Sequence, residues 1–325
     1  MRSPPAPDGR RPRILLSDLM AAGPVVLDGA MGTELGARGV DTTSGLWSAL
    51  ALTEAPEAIA AVHADYLTAG ARVICTNSYQ AVVPALLRAG RTEDEARAAI
   101  AASARLALGA RDRYTAVQPR EAVLVAGSIG PYGAWLADGS EYTGAYGMRA
   151  PDFARVHLPR LEVLAAEGLR LFAIETQPRL DEARWLTERI GERLPDAECW
   201  VSFQVRPDGA HLADGTPLAR AAAWAQRARN VVAVGLNCVA PPVVDRALPV
   251  LRAAADKPLV AYPNSGDVYD PVTRTWRATV GRGRLTASTS AWLDAGVRLI
   301  GGCCRTTPAD TAELRDAVRS TARPR

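Results

Sequence analysis

The sequence predicts an α/β fold, a single-domain (β/α)8 TIM barrel. Eight short apolar runs recur along the 325 residues. Each run is continuous rather than alternating, as parallel strands buried on both faces require. Helical segments with recognisable start and stop residues separate them, which gives eight strand–helix units in a chain of barrel length. A doubly wound open sheet is the alternative, but no G-x-G-x-x-G follows the first run, so a dinucleotide fold loses support.

The runs are Val25–Ala30, Val73–Ser78, Val123–Ser128, Leu169–Thr176, Trp200–Val205, Val231–Val239, Leu259–Asn264 and Val297–Cys303. Pro56 suits the first turn of a helix in which Ile59, Val62, Tyr66 and Leu67 share a face before Gly70 ends it. Thr92 and Glu95 form a capping box ahead of an alanine-rich helix. Thr216-Pro217 and Thr307-Pro308 each place an N-cap before a proline at N1. Pro159 interrupts the periodic stretch Phe153, Val156, Leu161, Leu164 and predicts a kink or a late helix start. Two stretches exceed simple connectors. Residues 130–150 carry Tyr132, Trp135, Tyr142 and Tyr146, and residues 265–285 carry Tyr269 and Trp276. Loops of that length in a compact domain are usually functional. There is no internal repeat.

Residues 1–13 lack an apolar core segment and read as a flexible N-terminal tail, with the barrel over 14–320. The net charge of +3 and the lack of a basic stripe point away from nucleic acid. No stretch approaches the ~18 apolar residues of a membrane span. Five cysteines without framework spacing predict a reduced, cytoplasmic setting.

A barrel places its chemistry at the C-terminal ends of its strands. The polar residues there are Asp28, Thr76, Asn77, Ser128, Glu175, Gln204, Asn237, Cys238, Asn264, Cys303 and Cys304. Cys238 ends one run, and Cys303 and Cys304 end another. Three thiolates with one open position describe a catalytic zinc site. Free cysteines also pack as small hydrophobes, and spacing alone leaves both readings open. For Cys75 and Cys199, inside apolar runs, core packing is the better account. Asp28 and Glu175 could act as an acid/base pair or hold an ammonium group, or each could pair locally as a cap. The small-residue turn Gly29-Ala30-Met31-Gly32-Thr33 offers backbone N–H groups to a carboxylate. His63 and His157 fall within helices and read as packed or surface residues rather than ligands, as does His211. The aromatic residues of the long loops could face a cationic sulfonium or pack on one another.

At these residues the chain resembles the homocysteine S-methyltransferase family. The matching stretches are Leu27-Asp28-Gly29-Ala30-Met31-Gly32-Thr33-Glu34-Leu35, Thr76-Asn77-Ser78-Tyr79-Gln80-Ala81 and Gly127-Ser128-Ile129-Gly130-Pro131-Tyr132-Gly133-Ala134. Asp138-Gly139-Ser140-Glu141-Tyr142, Glu175-Thr176, Gly235-Leu236-Asn237-Cys238, Tyr262-Pro263-Asn264-Ser265-Gly266 and Gly301-Gly302-Cys303-Cys304 follow in the family's order. The resemblance implies a zinc-dependent barrel that methylates the thiol of L-homocysteine to give methionine. It implies Cys238, Cys303 and Cys304 as zinc ligands. Asp28 and Glu175 would hold the substrate ammonium, and the Gly29–Gly32 backbone, Gly29 and Ala30 included, its carboxylate. Tyr79 is a candidate for zinc's fourth position without substrate. The Asp138–Tyr142 loop and Glu175-Thr176-Gln177-Pro178 resemble the branch that uses S-methylmethionine or S-adenosylmethionine, with no cobalamin. Asp267 departs from the glutamate expected after Tyr-Pro-Asn-Ser-Gly. A methyltransferase for selenocysteine or another thiol, and a non-catalytic zinc-binding barrel, are the alternatives.

Overall fold

The computed structural model describes residues 13–42, 47–147, 150–270, 275–277 and 285–321. Eight parallel strands form one sheet: β1 (Val25–Val26), β2 (Val73–Cys75), β3 (Leu124–Ile129), β4 (Leu171–Gln177), β5 (Glu198–Phe203), β6 (Val231–Asn237), β7 (Leu259–Tyr262) and β10 (Val297–Ile300). Between the last two lies an antiparallel hairpin of β8 (Val268–Asp270) and β9 (Thr275–Arg277). The sheet order is β1-β10-β7-β6-β5-β4-β3-β2. A parallel bridge between Leu27 and Val73 joins its two ends. Asp28 N–H donates to Val73 O at 3.0 Å and Arg72 N–H to Val26 O at 2.8 Å. The predicted barrel is therefore present and an open sheet is not. β1 is shorter than its apolar run because the chain leaves the ladder at Asp28 to start the helix Met31–Ala37.

Side chains pointing into the barrel are graded in size. Ala126, Ala173 and Ala233 leave room for the fully buried Trp200 among Leu27, Val73, Val260 and Leu299. The helix Leu16–Ala22 closes the N-terminal end of the barrel with Leu16 and Met20. Leu16 N–H donates to Glu198 Oε2 at 2.7 Å, which ties that helix to β5. Helices on the outside bury the other face of every strand. Because neighbours of Trp200 are already small, the shell has little bulk with which to fill a void. Trp200→Ala is expected to cost about 3–5 kcal/mol of unfolding free energy, measured by chemical denaturation.

The helix punctuation holds except at Thr216, and of the two readings of Pro159 the late helix start is excluded. Thr92 and Glu95 exchange both bonds of the capping box. Gly70 ends the helix Pro56–Ala69 at φ 116°, a left-handed conformation that costs glycine little. Thr307 caps Pro308–Thr321 through reciprocal bonds with Asp310. Thr216, by contrast, is not a cap. Its hydroxyl and N–H both go to the Asp214 carboxylate, and the helix starts later, at Leu218. Pro159 neither starts nor ends its helix, which runs from Ala150 to Ala166. The N-terminal tail lies outside the described residues except for Arg13, which pairs with Asp196 at 2.8 Å. The long stretch after β3 folds into a short helix, Tyr132–Leu136, and a turn, Ser140–Tyr142. Much of the second stretch, residues 271–274 and 278–284, lies outside the described residues.

Candidate active site at the C-terminal rim

The ends of β1, β2, β3, β4, β6, β7 and β10 converge on one cavity of about 140 Å3. That exceeds the space of a single water, ~30 Å3. Asp28, Glu175, Cys238, Cys303 and Cys304 all line it, as do Gly29 and Ala30. Of the polar residues predicted at the rim, all but Gln204 and Asn264 line this cavity.

Cys238 follows β6 in a left-handed conformation, φ 54°. Its N–H donates to Tyr262 O at 3.3 Å, while Cys303 N–H donates to Pro263 O at 2.8 Å. Both thiols are therefore set by the chain leaving β7. Cys238 Sγ lies 2.7 Å from Cys303 Sγ and 3.6 Å from Cys304 Sγ. All three sulfurs fall within 4.8 Å of one another. The thiol hydrogen bonds, together with burial, push Cys238 well above the ordinary thiol range. Cys304 accepts from both neighbours and is held well below it. Three converging sulfurs at a cavity wall, Cys304 among them held toward its thiolate, form the donor set that soft metal ions select. The residues fit a metal centre.

Close packing shapes the turns around this centre. A Cβ on Gly29 would lie 2.8 Å from both Thr306 Oγ1 and Tyr66 OH, so only glycine allows the Asp28–Ala30 turn to sit there. Thr306 in turn bonds Cys303 O through its hydroxyl at 2.7 Å. Arg305, with φ 66°, follows Cys304; its N–H donates to Thr33 Oγ1 at 3.1 Å and its guanidinium pairs with Asp267 at 3.2 Å. Asp267, where the resemblance led to an expected glutamate, is a buried anchor for the cysteine turn.

The two carboxylates line the same cavity. Asp28 Oδ2 accepts from Cys75 N–H at 2.7 Å, and burial raises its pKa well above the carboxylate range. Glu175 accepts from the Ser128 hydroxyl and, at 3.0 Å, from Tyr262 OH. Tyr262 is fixed by Trp200 Nε1–H at 3.1 Å and lies 2.5 Å from Ser202 Oγ. Burial pushes Glu175 up to about 7. Two acceptor groups raised by burial gain by receiving a cation, since charge pairing repays their desolvation. The next residue, Thr176, is β-branched yet has φ 56°. Such strain costs ~1–3 kcal/mol and needs support. Asn237 gives it, accepting from Thr176 N–H at 2.8 Å and donating to its hydroxyl at 2.9 Å.

Tyr79 and Tyr142 line the cavity on the side of Cys238. Burial raises both phenols. Tyr79 bonds Thr176. Glu141 is buried and raised to about 7 by burial. Its charge acts on Tyr79, Tyr142 and Cys304.

Three assignments need comment. Cys75 is not a simple core residue: it is half-buried and lines the cavity beside Asp28, because β2 ends there. Cys199 is buried, as expected, with its thiol on Asn230 O at 3.3 Å. The histidines stay out of the site: His63 is buried and lowered to about 4 by desolvation, His157 is buried, and His211 pairs with Asp208 on the surface. Tyr262 escaped the sequence reading because it reads as the last apolar residue of a strand.

The sequence profile described as homocysteine S-methyltransferase matches residues 25–318. A homocysteine S-methyltransferase of Escherichia coli is 46% identical over 293 residues, covering 90% of this chain and 94% of the relative. One from Bacillus subtilis is 41% identical over 300 residues, covering 91% and 95%. A selenocysteine Se-methyltransferase of Brassica oleracea is 36% identical over 299 residues, covering 88% and 86%. Among solved structures, the homocysteine methyltransferase MmuM of Escherichia coli in its metallated form superposes with a TM-score of 0.82 at 44% identity, over 90% of this chain and 96% of that one. Profile, relatives and superposition span the same barrel and the same rim, and the chain belongs to the homocysteine S-methyltransferase family.

Proposed function

We propose that this methyltransferase moves a methyl group from a sulfonium donor, S-methylmethionine or S-adenosylmethionine, to the thiol of L-homocysteine, giving methionine. The observation that carries the reading is the shared cavity, which gathers three clustered sulfurs and two buried carboxylates. Cys238, Cys303 and Cys304 would hold zinc, which suits a thiolate-rich site and keeps a position open in catalytic centres. Bound there, the ion would supply Lewis acidity that favours the thiolate form of the acceptor.

The chain's own residues do the rest. Asp28 and Glu175 receive the substrate ammonium, which leaves both carboxylates ionised. Ser128 and Tyr262 hold the Glu175 carboxylate in one orientation. The backbone of Gly29 and Ala30 faces the cavity at the start of a helix, where an α-carboxylate is favoured. The substrate is thus held by both ends of its amino-acid portion, and its sulfur is directed at the cysteine wall. Tyr79, Tyr142 and the Glu141 charge favour a positively charged donor on that side. A new carbon–sulfur bond forms as the donor's sulfonium–methyl bond breaks and its charge disappears. Little new charge develops, so positioning supplies much of the acceleration. Free thiolates of this kind persist in a reducing compartment, consistent with the cytoplasm.

The test is methionine formation by zinc-loaded protein offered L-homocysteine with S-methylmethionine, S-adenosylmethionine or betaine in separate reactions. Turnover is expected with a sulfonium donor, to vanish on chelation and to return with zinc. Turnover with betaine alone would overturn the donor assignment. Selenocysteine is the second acceptor to compare, given the Brassica oleracea relative. A higher kcat/KM for the selenol would reassign the substrate.

A further inference from the structure

We propose that Arg160, His157 and Glu182 form a buried positioning relay that sets the Tyr79 wall and the rim loop of residues 132–146 against the reaction centre. Their exposures are 1%, 0% and 0%. Burying ionic groups is expensive, and well-packed apolar replacements are often as stable, so stability alone does not account for them. What they connect does.

Arg160 donates to Ser78 O at 3.1 Å, Tyr79 O at 2.6 Å and Gly130 O at 2.8 Å. These carbonyls belong to the segments that leave β2 and β3. Arg160 Nη2 also lies 2.8 Å from His157 Nδ1. A guanidinium only donates, so Nδ1 accepts and the imidazole proton sits on Nε2. Nε2 then donates to Glu182 Oε1 at 2.7 Å. Desolvation by burial lowers the His157 pKa, in keeping with a neutral ring. Glu182 accepts from Tyr132 N–H and from Tyr146 OH, each at 2.6 Å. The donors all run one way, from Arg160 through His157 to Glu182. One end holds two strand exits and the other holds both ends of the rim loop.

Between those loop ends lies Tyr142, which lines the cavity. Tyr79 is constrained from behind as well. A Cβ on Gly130 would lie 2.7 Å from its ring and from its carbonyl, so the ring rests on bare backbone. A relay that keeps Gly130 and Tyr79 together therefore fixes how far the ring stands from Cys238. The relay residues do not line the cavity of the reaction centre; they act through the tyrosines.

The inference rests on the family's methyl transfer, and its test includes a readout that does not. His157→Gln keeps both bonds, with the amide oxygen accepting from Arg160 and the amide N–H donating to Glu182. His157→Met has similar bulk and neither bond. Metal content, Tm, hydrogen exchange of residues 132–146 and kcat per bound metal are measured, the last well below each Tm. His157→Met is expected to bind metal as the parent does and to exchange faster in 132–146. Its kcat should fall about tenfold or more, since small misplacements cost that much. His157→Gln should restore both kcat and exchange. If His157→Met fails to fold, Tyr146→Phe removes one bond to Glu182 and is expected to act in the same direction, more weakly. A lowered Tm with parental kcat and parental exchange would make the cluster merely structural. Equal loss in the glutamine and methionine variants would assign the effect to shape. Absence of methyl transfer in the parent would leave the exchange comparison to decide the relay by itself.

Discussion

Replacing Cys303 with serine is expected to abolish metal binding and turnover together while leaving the barrel folded. Cys303 Sγ lies 2.7 Å from Cys238 Sγ within the three-sulfur cluster, and its backbone is fixed independently by Pro263 O. The substitution therefore changes the donor atom and leaves the turn in place. A serine hydroxyl is a hard, protonated oxygen at neutral pH, whereas the soft thiolate is what selects zinc in such sites. Two remaining sulfurs do not make the three-ligand set of a catalytic centre. Cys238→Ser and Cys304→Ser should behave alike. Cys199→Ser is the control, because Cys199 is buried away from the rim against Asn230 O. It should retain metal and turnover even if Tm falls. Metal analysis beside a turnover assay checks all four. A metal-free Cys303→Ser protein that still made methionine at the parental rate would remove the metal from the reaction.

How much of this was legible in the sequence depended on the physical signal each residue carries. Continuous apolar runs are hard to reconcile with anything but buried parallel strands, so all eight were visible, although β1 proved shorter than its run. Cysteines and carboxylates at strand ends were visible because a barrel gathers every strand end at one rim. Tyr262 was hidden, since a tyrosine that closes an apolar strand looks like packing until Trp200, Ser202 and Glu175 are seen around its hydroxyl. Cys75 misled for a related reason: it continues an apolar run, yet β2 ends at it and leaves it at the cavity. His157 and Glu182 lie on successive helices, and nothing in either periodicity says that their polar atoms face each other. Thr216 showed a valid local cap signal that lost to a nearer carboxylate, Asp214. Local chemistry was readable; partners chosen by tertiary packing were not.

Glu175→Gln is expected to raise KM for L-homocysteine by about 30-fold or more, with a smaller effect on the methyl donor. Removing one member of a buried, hydrogen-bonded charge pair costs at least ~2 kcal/mol, which corresponds to that factor. Ser128 and Tyr262 donate to different oxygens of Glu175, so glutamine accepts from one hydroxyl and turns its amide N–H toward the other; the shape is kept and the main lost term is the charge facing the ammonium. The pH dependence gives an independent check. Glu175 is pushed up to about 7 by burial in the free site. Below that pH the carboxyl is increasingly protonated and must lose its proton before it can pair with an ammonium. Homocysteine KM should therefore rise as pH falls below about 7 in the parent and rise less steeply in Glu175→Gln. The folded state moves in the opposite sense. An acid whose folded pKa is raised costs stability as it ionises, so the parent should lose stability between the unfolded glutamate range, ~4.3, and about 7, and the variant should lose less. Steady-state KM from pH 5.5 to 8.5, beside denaturation at the same pH values, tests both signs. A flat difference between parent and variant across that range would mean that Glu175 is ionised throughout and that burial does not control the ammonium site.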